Sequence, residues 1–278
     1  MNVTQHTLKK EYRFSGKGLH TGTEARMRLM PAPAGHGIVF KRKDLAGEPL
    51  VPALAENVTN TSRSTTLSCN DAVVVTVEHV LSALTGLGID NALIEIDNLE
   101  VPILDGSARP YIDAILGDGT LDQEAPREYI DIPRSIEVKD EKSGSWVRIE
   151  PAAAPSIDLT VDFNSDILGV QKIHWDEETD YAREIGICRT FVFYREIEAL
   201  IQNGLIKGGD VDNAIIITDD GYLGGKQLYF PDECGRHKML DLLGDIRLAG
   251  GWLNAKITAY KPGHTINTKA AKAVRALL

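Results

Sequence analysis

The chain is short of cysteine, of long apolar runs, of leader-like sequence and of positive charge, and each shortage narrows what it can be. Its 278 residues hold three cysteines, Cys69, Cys188 and Cys234, scattered and in no CxxC arrangement. That rules out a cysteine-based zinc ribbon and favours a reducing compartment. No apolar stretch approaches the roughly 18 residues of a membrane-spanning helix, so no integral membrane association is expected. The opening "MNVTQHTLKKEYRFSG" lacks the apolar core of a secretory signal, and the expected location is the cytoplasm. Forty Asp and Glu outnumber 30 Lys and Arg, leaving a net charge of −10. This argues against bulk binding to nucleic acid, though local patches can still hold phosphate. Zinc-peptidase signatures are missing too. There is no HExxH, and HxxEH would need histidine where Val75 stands.

What is present describes a globular protein: 43% apolar and 25% charged residues can bury a real core. The length suits one large domain or two of roughly 130 to 140 residues. The first half reads as β-rich, with "EYRFSGKGLHTG" a strand broken by glycines and "EARMRLMPAP" alternating until its prolines. "NVTNTSRSTTLS" reads as polar and turn-prone. In "DAVVVTVEHVLSALTGLGIDNALIEID", Val77, Val80, Leu81, Leu84 and Leu87 recur at helical spacing, with Thr76 as the expected cap. "ALIEI" follows as a strand. The polar stretch 116–128 is the best boundary or linker. Beyond it, "WVRIEP", "IDLTVDF", "NAIIIT" and "AKITAY" read as strands, while "EIEALIQNGL" and "TINTKAAKAVRALL" read as helices.

Two segments echo each other. "EHVLSALTG" and "RHKMLDLLG" each place a histidine at the head of a helix, a glycine seven residues later and a strand beyond. One echo is weak support for a duplicated unit, but it suggests two similar halves with His79 and His237 near their seam.

In "RHKMLDLLGD", His237, Asp241 and Asp245 fall one helical turn apart, beside the apolar side formed by Met239, Leu242, Leu243 and Ile246. Two readings are open. An exposed His–Asp pair stabilises a helix by only a few tenths of a kcal/mol. The same i, i+4 spacing can offer two metal ligands from one rigid element. A metal site needs a third ligand, and "VEHV" offers His79. Its neighbour Glu78 is a candidate base in a first helical turn, where the helix dipole favours the ionised form. A carboxylate beside a ligand can take a proton from water that a metal has acidified. His264 in "KPGHTIN" opens the last helix, and Asp245 is a candidate partner for its charge. Lys238 could meet phosphate or stay solvated. Thr190 in "CRTFVF" could donate to an oxyanion or simply start a strand.

Taken together, "VEHVLSALTGLGIDN", "VPILDGSA", "CRTF", "GRHKMLDLLGD" and "KPGHTIN" resemble the UDP-3-O-acyl-N-acetylglucosamine deacetylases, zinc enzymes of lipid A biosynthesis in Gram-negative bacteria. The motifs run in the family's order from about residue 15 to the end of the sequence. The resemblance implies an α+β fold of two similar domains, 1–122 and 128–278, each a sheet packed with helices. They form a β-α-α-β sandwich with the active site between them. It implies one catalytic zinc ion held by His79, His237 and Asp241, with Glu78 as general base. His264 would act as general acid supported by Asp245, and Thr190 would stabilise the oxyanion. Lys238 matches a substrate contact, and Phe163 and Lys261 resemble positions near the nucleotide. An inserted βαβ unit at about 191–218 would form an acyl-chain passage, with Phe191, Ile197, Ile206, Ala214 and Ile216 facing substrate. The implied partner is a UDP-linked acylated amino sugar, deacetylated by a monomer at the committed step of lipid A biosynthesis. Two departures concern the substrate edge: "NTSRSTTL" has no cysteine or methionine where some relatives do, and Thr268 replaces a bulkier polar residue. Rival readings are another zinc amidohydrolase or a nucleotide-sugar binding protein.

Overall fold

A computed structural model describes residues 3–278. Six α-helices occur among them: α1 (Glu78–Gly86), α2 (Arg109–Leu116), α3 (Tyr181–Glu184), α4 (Tyr194–Gln202), α5 (Glu233–Ile246) and α6 (His264–Arg275). Two main sheets carry the rest. The first runs Tyr12–Lys17, Glu24–Pro31, Ala92–Ile96, Ile38–Arg42, Leu50–Pro52 in spatial order. The second runs Ile136–Asp140, Ser145–Pro151, Trp252–Tyr260, Ser156–Asp162, Val170–Asp176, with Tyr129–Asp131 also pairing with Trp252–Tyr260.

These two paths have one topology. In each, the last strand in sequence enters the middle, antiparallel to the second strand and parallel to the third. In each, that strand follows a helix, α1 or α5, and precedes another, α2 or α6. The helix–glycine–strand echo is the local trace of this repetition.

Alternation decides which sheet face is buried. Ala25, Met27 and Leu29 point inward from Glu24–Pro31, as do Leu253, Ala255, Ile257 and Ala259 from Trp252–Tyr260. These residues join apolar side chains of α1, α5 and α6 in one core cluster. The helices α1 and α5 pack on each other between the sheets, so the order is sheet, helices, helices, sheet. The α+β sandwich expected from the resemblance is the fold observed.

Several local expectations change. Within the boundary stretch 116–128, Thr120–Pro126 forms a strand, antiparallel to Thr4–Leu8. "NVTNTSRSTTLS" contributes strands Val58–Asn60 and Thr66–Cys69, whose polar residues hid them. Thr76 does not cap α1. Its φ is 61° and its hydroxyl donates to Glu100 at 2.7 Å, while Val77 occupies the cap position without a side-chain bond. α5 begins at Glu233, so His237 lies in its second turn and not at its head. α2 was not foreseen.

Within 191–218, strands Phe191–Phe193 and Ile215–Ile217 pair in parallel across α4, giving a βαβ unit. No helix among the described residues is long and apolar enough to cross a membrane.

Candidate active site

The seam between α1 and α5 is tight because Gly244 has no side chain. A Cβ there would collide with the Glu78 carbonyl, so the start of α1 rests directly on α5. That contact brings Glu78 and His79 beside His237 and Asp241. His79, His237 and Asp241 are all buried, and one potential ligand atom from each lies within 4.8 Å of the others. Asp241 Oδ1 is 3.4 Å from His237 Nε2 and 3.7 Å from His79 Nε2, yet it makes no hydrogen bond. A buried carboxylate oxygen without a donor is costly, and two imidazole nitrogens facing it are the set a zinc-like cation uses. The residues therefore fit a metal. His237 Nδ1 donates to the Cys188 carbonyl at 3.0 Å, which turns Nε2 toward the cluster.

Electrostatics agree with that fit. Burial, followed by the neighbouring His237, pushes His79 down to about 3, and burial likewise lowers His237, so both rings stay neutral and able to ligate. Burial opposes the charge on Asp241, but the positive charges of Lys238 and His264 outweigh it and keep the carboxylate ionised.

On the other side of the cluster lies a hydrogen-bonded relay. His264 Nδ1 donates to Asp245 Oδ2 at 2.9 Å, and His264 Nε2 stands 3.8 Å from Glu78 Oε1. Asp245 also accepts from Thr65 Oγ1 at 2.5 Å and Asn267 Nδ2 at 2.9 Å. Glu78 Oε2 accepts from the Thr65 N–H at 3.0 Å. Burial would lower His264, but Asp245 and then Glu78 reverse this and raise it to about 9. Glu78 departs from its expectation: burial overrides the helix dipole and lifts it to about 7.

A cavity of about 340 Å³ opens over these groups and is lined by Glu78, His79, His237, Asp241, His264, Thr190, Phe191, Lys238 and Lys261, among others. Its size suits a small-molecule ligand. Lys238 is not free within it, since its Nζ donates to Asp241 Oδ2 at 2.8 Å. The Thr190 N–H donates to the Gly106 carbonyl at 2.8 Å, which anchors Thr190 to the "LDGSA" loop. Phe163 is not on the cavity wall; it packs edge-on behind Phe191, with centroids 5.4 Å apart.

A second, apolar cavity of about 440 Å³ adjoins the first and shares Leu19, Arg63, Thr190 and Phe191 with it. Ile197, Ile206, Ala214 and Ile216 all line it. Sequence reading left Leu19, His20, Arg63, Thr65 and Asn267 unassigned. Asn267 carried a signal, lying one turn after His264 on the same helix, whereas the loop residues carried none.

The chain matches the family described as UDP-3-O-acyl N-acetylglycosamine deacetylase over residues 5–276. A protein of Myxococcus xanthus named UDP-3-O-acyl-N-acetylglucosamine deacetylase is 44% identical, covering 98% of this chain and 87% of that relative. One of the same name from Stenotrophomonas maltophilia is 39% identical, covering 99% and 91%. A "Bifunctional enzyme LpxC/FabZ" of Bacteroides thetaiotaomicron is 42% identical over 98% of this chain, and the chain spans 64% of that relative's length.

Proposed function

The chain belongs to the UDP-3-O-acyl N-acetylglycosamine deacetylase family, and from that premise we propose that it hydrolyses the N-acetyl group of UDP-3-O-(3-hydroxyacyl)-N-acetylglucosamine. The products are acetate and the 2-amino sugar, a step of lipid A biosynthesis. The observation that carries this reading is the buried His79–His237–Asp241 cluster, flanked by Glu78 and His264 and opening on an apolar passage.

One zinc ion is the group this donor set suits, and when bound it would acidify water and polarise the amide carbonyl. Glu78, with a pKa raised to about 7, takes the proton of the attacking water. The Thr190 hydroxyl donates to the oxyanion as the new C–O bond forms. The C–N bond then breaks, and His264 Nε2 gives its proton to the departing nitrogen. Asp245 holds that imidazole charged and oriented through Nδ1. Amines leave poorly as anions, so an acid on this side is a chemical requirement.

Lys238 and Lys261 supply positive charge to the cavity for the diphosphate, with Phe163 supporting the nucleotide side through Phe191. The acyl chain takes the passage lined by Ile197, Ile206, Ala214 and Ile216. We take the enzyme to act in the cytoplasm, a reading supported by cysteines that are all free.

The test is acetate release from the UDP-sugar by zinc-loaded, chelated and Glu78→Gln protein. Loss on chelation is expected, with a drop of about 10²- to 10⁴-fold in Glu78→Gln that still binds zinc. A zinc-loaded wild type releasing no acetate would defeat the reading.

A further inference from the structure

We infer that Glu100 is a positioning residue for the acyl passage, an inference that rests on the deacetylase reading above. Glu100 is fully buried, and it is not on the wall of either cavity. Its Oε1 accepts from the Thr76 hydroxyl at 2.7 Å and from the His20 N–H at 2.9 Å. Its Oε2 accepts from the Thr21 N–H at 2.7 Å and from the His20 N–H at 3.1 Å. A buried carboxylate needs such donors, and bonds to a charged acceptor are stronger than neutral ones. A Cβ on Gly18 would collide with this carboxylate, so glycine there lets the loop close over it.

The clamped loop is one wall of the passage, through Leu19 and His20. Its far side is stitched to the βαβ unit by backbone alone. The Gly208 N–H donates to the Leu19 carbonyl at 3.0 Å, and the Lys207 N–H to the His20 carbonyl at 3.3 Å. Ile206 and Gly209, beside those donors, line the passage as well. On the other side of Glu100, Thr76 lines the polar cavity and leads through Val77 into α1, which carries Glu78 and His79. One carboxylate thus sets the spacing between the catalytic helix and the wall that holds the acyl chain. Its consequence is selectivity: a loosened wall costs the long-chain substrate its fit, and a short-chain substrate has little to lose.

The experiment compares zinc-loaded wild type, Glu100→Gln and Gly208→Ala on a long-acyl UDP substrate and on its short-acyl analogue. Glutamine keeps the volume but replaces one acceptor with an NH₂ that cannot receive a backbone N–H. Expected is a fall of about tenfold or more in kcat/KM for the long chain, mostly in KM, since small misplacements cost that much or more. Short-chain turnover and zinc content stay near wild type, so the long-to-short ratio collapses. A merely stabilising residue would lower both substrates by one factor, and an unchanged ratio in the folded variant overturns the inference. Gly208→Ala reaches the same junction from the other side, because its Cβ would strike the Gly18 carbonyl while Glu100 stays intact. It should reproduce the collapse even where Glu100→Gln does not fold. Failure of both variants to fold assigns Glu100 to stability and overturns the proposal. A wild type that releases no acetate from either substrate is a different result: it removes the deacetylase reading itself.

Discussion

Replacing Asp245 with asparagine separates the two things this residue does for His264. Asparagine keeps the shape, and its amide can still bond Thr65 and Asn267, which now hold the carboxylate in place. What disappears is the negative charge 2.9 Å from His264 Nδ1. That charge, with Glu78, raises His264 from 6.5 to about 9. At pH 8 a group with a pKa near 9 is about 90% protonated, whereas at 6.5 it is about 3% protonated. At pH 6 the two values are about 100% and about 75%. For a fall to the free value of 6.5, the deficit of Asp245→Asn from lost protonation grows from less than about twofold at pH 6 to about 30-fold at pH 8. Burial deepens that fall and Glu78, once ionised, opposes it, so the growth of the deficit with pH is the prediction. Any loss of orientation adds a factor that does not vary with pH. The assay is kcat against pH for wild type and variant, with zinc content and melting checked. The alkaline limb should move down from about 9 toward 6.5. A ratio of wild-type to variant kcat that stays flat between pH 6 and 8 would refute the role given to Asp245.

Two more perturbations test the metal cluster and the seam. Removing any one of His79, His237 or Asp241 should abolish tight zinc retention on dialysis, and chelation should lower the wild-type Tm by several degrees while leaving the His237→Ala Tm unmoved; a ligand at 100 Kd is worth about 2.7 kcal/mol of stability. Full zinc in His237→Ala would break the cluster. Gly244→Ala should cost about 1–3 kcal/mol in urea unfolding, because the added methyl group must displace the start of α1. It should weaken zinc binding as well, since His79 moves with that helix, and an unchanged midpoint would show that the contact is slack.

How much of this was legible in sequence depends on whether the determining contact is local. His237, Asp241 and Asp245 stand one turn apart, so their shared helix side is visible without a structure. The strand Thr120–Pro126 was not legible, because its pattern is largely exposed and only its partner Thr4–Leu8 makes it a strand. Thr76 looked like a cap from its position, but its left-handed backbone sends the hydroxyl to Glu100, 24 residues away in sequence. The ionisation of Glu78 could be misjudged for the same reason: the dipole is local, whereas burial, and after it the charges of Asp245 and Asp241 on α5, outweigh it only in the folded chain. The echo between the halves sits between these cases. Its histidines and glycines were readable, but their reasons differ. Gly86 makes room for the ring of Tyr181, which also bonds Ser82 of α1 at 2.8 Å, while Gly244 makes room for the backbone of Glu78. Each glycine is thus the place where the other half enters. The two halves share a topology, and their helices have divided the chemistry unequally. On the proposed mechanism α1 supplies the base and one candidate ligand, α5 supplies two further candidate ligands and the carboxylate that bonds His264, and neither half alone brings these groups together.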